Sequence, residues 1–271
     1  MKNKYKNIIS YFLILIIFSI YSIFITSCNP GKEKTLEKED ASANPNTLKK
    51  QEITTGWRLL FDGKSLVNWR GLGMDNVPKG QWIIEDGQIK KVAKENIPLS
   101  EDGKPAPAGD LMTIESYENF EFSIDWKVST GGNSGIKYNV SEELSMSRGG
   151  KHSALGFEYQ VIDDYGYTGK LRANQTAGAL YDLFPPGPKN LKPAGEFNKS
   201  RIILQGNHGK HWLNGKKILE FEIGSASFDS SLAVSKFRDI TGFADKKKGH
   251  IVLQVHPGET WYRNIKIREL P

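Results

Sequence analysis

The sequence predicts an all-β protein, a β-sandwich or jelly roll folded as a single domain, and three observations predict it. Short apolar-alternating runs recur through residues 55–271, each bounded by Gly, Pro, Asn or Asp, which is the pattern of strands and their turns. No stretch of that range carries a long apolar period of about 3.6 residues, so the alternating strand–helix rhythm of a parallel α/β sheet is missing. The range holds 217 residues, a size that one sandwich fills.

The chain opens with Lys2, Lys4 and Lys6, then an apolar run from Tyr11 to Ile25 and the sequence Ile25-Thr26-Ser27-Cys28. A short basic start, an apolar middle and small residues before a processing point are the parts of an export signal, so residues 1–27 are expected to be removed rather than folded. Cys28 is the single cysteine, and its setting resembles the lipobox of bacterial lipoproteins, where that cysteine becomes the lipid-bearing first residue. The competing reading is a single membrane-spanning anchor, for which the run sits at the lower limit of roughly 17 residues. Removal of residues 1–27 takes away three lysines, leaves 244 of the 271 residues and lowers the formal charge from +6 to +3. That is no nucleic-acid footprint, which needs cations clustered on one face. With its cysteine committed to lipid, the exported chain has no thiol for an internal disulfide. Residues 28–54 are rich in Lys, Glu, Asn and Ser and lack aromatics, a composition that reads as a flexible tether. The expected location is the bacterial cell envelope, facing the periplasm or the outer membrane, with the membrane met through lipid.

Within residues 55–271, Gly56 to Phe61 reads as the first strand, Asp62-Gly63-Lys64 as its turn, and Trp69-Arg70-Gly71 closes this opening unit. Trp82 to Glu85, Asp86-Gly87 and Gln88 to Lys90 spell a hairpin. Lys94 to Asp110 holds three prolines and reads as a loop before Leu111-Met112-Thr113. Phe120 to Val128 is the cleanest alternation, with five apolar residues to one side and four polar residues to the other. Gly131-Gly132-Asn133 turns the chain, Ser134 to Val140 returns, and the polar, Gly-rich stretch from Ser141 to Ala154 reads as a surface loop. Gly156 to Asp163 is a strand with Phe157, Tyr159 and Val161 on one face and Glu158, Gln160 and Ile162 on the other. After a loop to Ala177, Gly178 to Leu183 reads as a strand stopped by Pro185-Pro186. Arg201 to Gln205, Lys210 to Leu213 and Lys217 to Phe221 follow, the last two joined by Asn214-Gly215, and His250 to Val255 and Trp261 to Arg268 finish the chain.

The chemistry is expected on the Glu158 strand. A carboxylate and an amide two residues apart can floor a pocket, one taking protons or a cation and the other giving and taking hydrogen bonds; the plain alternative is the solvated face of an antiparallel sheet. Asn133, Ser134, Asp163, Tyr181, His211, Gln254, His256 and Arg263 lie on strands or at their ends. Each alone is an ordinary turn or surface residue; together with Glu158 and Gln160 they make an open carbohydrate site in which amides and charges read hydroxyls. A two-carboxylate glycosidase pair of Glu158 and Asp163 is disfavoured. Five residues along a strand separate them by roughly 16 Å on opposite faces, against the roughly 5 to 10 Å that the chemistry needs. No spaced metal motif is present, and Glu158 and His256 stand as candidate ligands of a divalent metal ion only if a third group meets them in space.

Gly56-Trp57-Arg58-Leu59-Leu60-Phe61-Asp62-Gly63-Lys64-Ser65-Leu66, Trp69-Arg70-Gly71, Asn133-Ser134-Gly135-Ile136 and Gly156 to Asp163 resemble successive motifs of the 3-keto-disaccharide hydrolase family. Gly178 to Asp182, His211 to Gly215, Ile251 to His256 and Arg263-Asn264-Ile265 continue the likeness, which covers residues 55–271 in order. It implies a concanavalin A-like lectin or glucanase sandwich and an exported bacterial enzyme acting on 3-keto sugars. A ketone at carbon 3 acidifies the hydrogen on carbon 2. A base can then remove that proton, the glycosidic oxygen on carbon 1 leaves, and water adds to the unsaturated sugar. This route asks for one general base and one group for the enolate. Glu158 and His256 are the candidates for the base; a metal ion, Arg263 or a protonated histidine is the candidate for the enolate. A small glycoside or oligosaccharide is expected against the polar residues gathered above, Asn133, Ser134, Gln160, Asp163, Tyr181, His211, Gln254 and Arg263. Two departures stand out: Gln254-Val255-His256-Pro257 where the family often reads Gln-Asp-His-Gly, and no histidine in Asp164-Tyr165-Gly166-Tyr167, where the family often has one. The rival function is a lectin-like module that holds glycans without turning them over, because sandwiches host both.

Overall fold

A computed structural model of the chain describes residues 44–106, 108–147 and 153–271. The export signal, Cys28 and the tether as far as residue 43 lie outside the described residues. In order, the elements are α1 (Lys50–Thr54), β1 (Arg58–Leu59), β2 (Trp69–Gly71), β3 (Trp82–Glu85), β4 (Gln88–Lys91), β5 (Leu111–Tyr117), β6 (Phe120–Val128), β7 (Asn133–Val140), α2 (Glu142–Ser147), β8 (Phe157–Ile162), β9 (Asn198–Gln205), β10 (His208–Leu213), β11 (Lys216–Glu222), α3 (Ala226–Val234), β12 (Gly249–Leu253) and β13 (Thr260–Glu269). They make two antiparallel sheets. The larger, of eight strands, runs β11-β10-β9-β6-β13-β4-β3 with β1 also on β13; the smaller, of five, runs β2-β5-β12-β7-β8. The expected concanavalin A-like jelly-roll sandwich is the architecture.

Alternation decides which residues meet between the sheets. Phe120, Phe122, Ile124, Trp126 and Val128 of β6 are all buried, facing Ile136 and Tyr138 of β7 and Phe157, Tyr159 and Val161 of β8. Removing such side chains from water contributes roughly 1.5 to 3 kcal/mol apiece. The Trp126 indole keeps a partner in the core, donating to Ser200 Oγ at 2.7 Å. The other face of β6 is less wet than its composition suggests: Glu121 is buried and holds Arg268 through Nη2 at 2.6 Å and also Arg201.

Three stretches differ from expectation. Gly178 to Leu183 is not a regular strand, because Gly178 and Asp182 take positive φ of 85° and 61°, which an extended run excludes. It still docks on the free edge of β8: Gly178 and Tyr181 donate to Gln160 O and Glu158 O at 2.9 Å, and Gln160 donates to Ala179 O at 3.1 Å. Between Ser141 and Ala154 the chain forms α2. Residues 226–234 form α3, whose N-cap Ser225 accepts from Phe228 N and whose one buried side chain is Phe228. Phe228 and the half-buried Leu232 one turn on pack against the core, a stripe too short for periodicity to find.

The folded part also begins before Thr55. Asn46, at a φ of 59°, exchanges hydrogen bonds with Asn264 in both directions (2.7 and 2.8 Å) and donates to Gly87 O at 2.8 Å. Residues 44–54, read from composition as tether, are therefore seated on the irregularity between Arg263 and Lys266 of β13, with Glu52 paired to Lys266.

Candidate active site

The register of β7 on β8 builds the site. Lys137 lies opposite Glu158 and Gly135 opposite Gln160, so these four share the face of the smaller sheet turned away from the core. Gly135 is required there by space: a Cβ on it would lie 2.4 Å from Glu158 Oε1, so the carboxylate rests over bare backbone. The face is not the wet one that period alone suggests. Glu158 is 5% exposed and Gln160 2%. Tyr181, brought alongside by its backbone bond to Glu158 O, covers the outer edge of β8.

Around Glu158 the charges are arranged in sequence. Lys137 Nζ donates to Asp110 Oδ2 at 3.4 Å and to Ala154 O at 2.9 Å. Asp110, also buried, accepts from the backbone of Ala154 (2.9 Å) and Val255 (2.8 Å), so it is fully engaged. Glu158 has no hydrogen-bond partner for its carboxyl among the described residues. Burial pushes that carboxyl above the usual range, against the lowering pull of Lys137 and Lys236 and with a smaller push from Asp110. A proton acceptor moved up toward neutral pH and left without a competing partner is suited to taking a carbon-bound proton.

His256 enters the face from the loop after β12. Its Nε2 sits 3.2 Å from Asn133 Nδ2, and Asn133 Oδ1 accepts from Gln160 Nε2 at 3.1 Å. With the Asn133 amide donating, Nε2 is the acceptor and the ring proton is on Nδ1. Burial lowers the imidazole, helped by the nearby Lys91 and Lys137 and opposed by Asp110, which favours the neutral ring. The chain of bonds ends at Gln160 Oε1, buried and without a partner among the described residues, an acceptor available to a sugar hydroxyl. Gln254 follows Leu253 onto this face and is tied to Gly135 O through its backbone N–H at 2.9 Å.

Of the residues that the sequence singled out, the fold gathers Glu158, Gln160, Asn133, Tyr181, Gln254 and His256, and it sends four elsewhere. Ser134 points into the core, donating to Gln254 O and sharing a hydrogen bond with the Tyr262 hydroxyl, each at 2.7 Å. Asp163 closes the turns around it, accepting from Gly131 N at 2.9 Å and Tyr165 N at 3.1 Å. His211 is sealed between the sheets, with Nε2 2.8 Å from the Tyr138 hydroxyl and Nδ1 3.0 Å from Gly178 O; burial lowers it to about 4. Arg263 lies on the outer face of the larger sheet, 3.7 Å from Asp125 and stacked 3.9 Å over Phe197, and so cannot serve a group beside Glu158.

The sequence reading missed Asp110, Lys137 and Lys236. Lys137 was within reach, since it alternates with Asn133 and Asn139, but its place opposite Glu158 depends on a register that only the pairing reveals. Asp110 ends a loop and Lys236 follows α3, and neither position carries a periodic signal. Among the described residues no three His, Cys, Asp or Glu side chains converge; beside Glu158 the positive charge comes from Lys137 and Lys236.

Comparison with known proteins bears on the fold and the family. A 3-keto-disaccharide hydrolase of Bacteroides thetaiotaomicron is 33% identical over 279 aligned positions, spanning 91% of this chain and 94% of that protein. A crystal structure of a provisionally named glycosyl hydrolase from Parabacteroides distasonis superposes with a TM-score of 0.73 at 30% identity, over 84% of this chain and 100% of the other. A second from the same organism gives 0.57 at 28% identity, over 79% and 99%. Residues 56–268 match the profile of one carbohydrate-active family, and on that extent and that identity the chain belongs to the 3-keto-alpha-glucoside-1,2-lyase-like domains.

Proposed function

We propose that the protein is an enzyme that cleaves 3-keto-glycosides at the face carrying Glu158, and that it works in the bacterial envelope on a lipid attached to Cys28. The observation that carries the catalytic reading is the Glu158 carboxyl, buried, unpartnered among the described residues and raised above its usual range. Glu158 takes the proton from carbon 2, and the electron pair of that C–H bond becomes the carbon 2–carbon 3 double bond of an enolate. As the ketone reforms, the pair moves to the carbon 1–carbon 2 bond and the glycosidic oxygen leaves carbon 1, taking a proton. Water then adds at carbon 1 while carbon 2 is reprotonated, giving a 3-keto-monosaccharide and the free aglycone.

Glu158, protonated by that first step, supports the role of the acid that protonates the departing oxygen, and the neutral His256, oriented through Asn133 and Gln160, that of the base that deprotonates the water and passes the proton on to carbon 2. Its Nε2 is already engaged, which favours Glu158 for the first proton transfer. Gln160 Oε1 and the Asn133 amide supply hydrogen-bonding groups to sugar hydroxyls. The relative from Bacteroides thetaiotaomicron is called a hydrolase and the family a lyase-like one; elimination followed by hydration accommodates both names.

The test is to incubate the purified full-length chain with a 3-keto-disaccharide, with and without chelator, and to follow released monosaccharide. Release by the wild type and its loss in Glu158→Gln is the expected result. Binding without release would turn the reading to a glycan-binding module, and full activity in Glu158→Gln would move the base to His256.

A further inference from the structure

Most of the cations around the active face are matched by a carboxylate or by backbone carbonyls. Lys137 is paired with Asp110, Arg172 with Asp182, and Lys189 with Asp164 at 2.7 Å. Lys236 has no carboxylate within ion-pair distance among the described residues. Its ammonium lies instead over the Tyr181 ring, 4.2 Å from the centroid, with Phe237 at 4.9 Å. The residue is not a loose surface lysine. Its backbone N–H donates to Asp182 Oδ2 at 2.7 Å, and the next residue, Phe237, is stacked on Phe243 with centroids 4.2 Å apart. The residue is exposed although its ammonium is partly desolvated, whereas Lys137 is buried and already spends donors on Asp110 and Ala154 O.

An aromatic face attracts a cation less strongly than a carboxylate does and leaves its N–H groups available. A fixed, accessible, unpaired ammonium beside Glu158 is therefore complementary to an anion that is present only during the reaction. We infer that Lys236, presented on the Tyr181 ring, receives the negative charge that develops on the carbon 3 oxygen as the carbon 2 proton is removed. When carbon 3 returns to a ketone, the same contact releases its charge as the glycosidic bond breaks. This assignment rests on the 3-keto-glycoside reading, and it fills the role for which Arg263 is misplaced. Burial and the neighbouring Lys137 lower the Lys236 ammonium while Glu158 and Asp182 raise it, so it is also a readier proton donor to an oxyanion than an ordinary lysine.

The experiment compares full-length wild type, Lys236→Met and Lys236→Arg. The first arm needs no turnover: L-ascorbate, a sugar-sized stable enolate anion, and neutral methyl α-D-glucoside are titrated calorimetrically. Lys236→Met is expected to weaken ascorbate at least about 10-fold and leave the glucoside unchanged, with Lys236→Arg retaining most of the difference. The second arm is turnover of a 3-keto-disaccharide, where Lys236→Met should lower kcat on the order of 100 to 1,000-fold with little change in KM. Equal ascorbate binding by wild type and Lys236→Met overturns the assignment, and so does a parallel loss of both ligands, which would mark a packing role. Selective ascorbate binding through Lys236 by a wild type that releases no sugar would uphold the anion contact and overturn the 3-keto substrate.

Discussion

Glu158 carries opposite demands from folding and from chemistry. Its carboxyl is raised by burial, so the folded state holds the proton more tightly than the unfolded chain does. Stability from this group is complete below the unfolded value of about 4.5 and is lost as pH rises through the elevated folded value. Replacing it with the uncharged isostere Glu158→Gln should therefore raise the melting temperature at pH 7, with the gain closing as pH falls below about 4.5. Turnover should drop on the order of 100 to 10,000-fold, the usual cost of a lost positioned base. Thermal melts against pH beside steady-state rates check both; a destabilised variant would mark Glu158 as structural. Gly135 gives a companion prediction. In Gly135→Ala the new methyl displaces the carboxylate that lies 2.4 Å from its position. The expected outcome is a loss of kcat of at least about 10-fold in a folded protein, since misplacing a catalytic group by about an ångström is that costly.

Among the elements, the inner bonds between sheets and the N-terminal strap behave differently. His211 on β10 links the larger sheet to Tyr138 of β7 and to Gly178, and Gly178 holds the segment that brings up Tyr181. Its imidazole is lowered from 6.5 to about 4 by burial. The stability it contributes is complete above pH 6.5 and is lost as pH falls toward about 4, roughly 3 kcal/mol across the window. Melting temperature should fall over that range in the wild type and fall less in His211→Gln, measured by calorimetry from pH 7 to 4. For the strap, Asn46→Ala removes two side-chain hydrogen bonds and leaves alanine at a φ of 59°. A loss of about 2 kcal/mol is expected, together with faster amide exchange at Asn264.

For the whole molecule, the lipid anchor is the prediction with the widest consequence. Residues 1–28 carry a basic start, an apolar run and Ile25-Thr26-Ser27-Cys28. Wild type expressed in a bacterium should fractionate with membranes and label with a fatty-acid probe, while Cys28→Ala should accumulate as uncleaved precursor without label. Mature, label-free protein from Cys28→Ala at wild-type levels would remove the anchor from the proposed function. Anchoring would hold the enzyme where incoming glycosides enter the cell, without altering the chemistry of the Glu158 face.

The amino-acid sequence by itself determined the fold class, the strands from β6 to β8, the hairpins at Asp86-Gly87 and Asn214-Gly215, and the placing of Glu158 beside Gln160 on one face. These follow from local rules, because the period of a strand and the positive φ of a turn are written in neighbouring residues. Only tertiary structure decided that this face is buried rather than wet, since burial depends on Tyr181 and on segments remote in sequence. It alone brought Lys137 opposite Glu158 through the β7–β8 register, engaged Asp110 with the Ala154 and Val255 backbones, and set Lys236 over Tyr181. It likewise turned Ser134 and His211 into the core and Arg263 to the far sheet, because a polar residue on a strand can satisfy its hydrogen bonds inside a sandwich as well as outside it. Strand period assigns a side chain to one of two faces; which face becomes a site depends on what the rest of the chain lays over it.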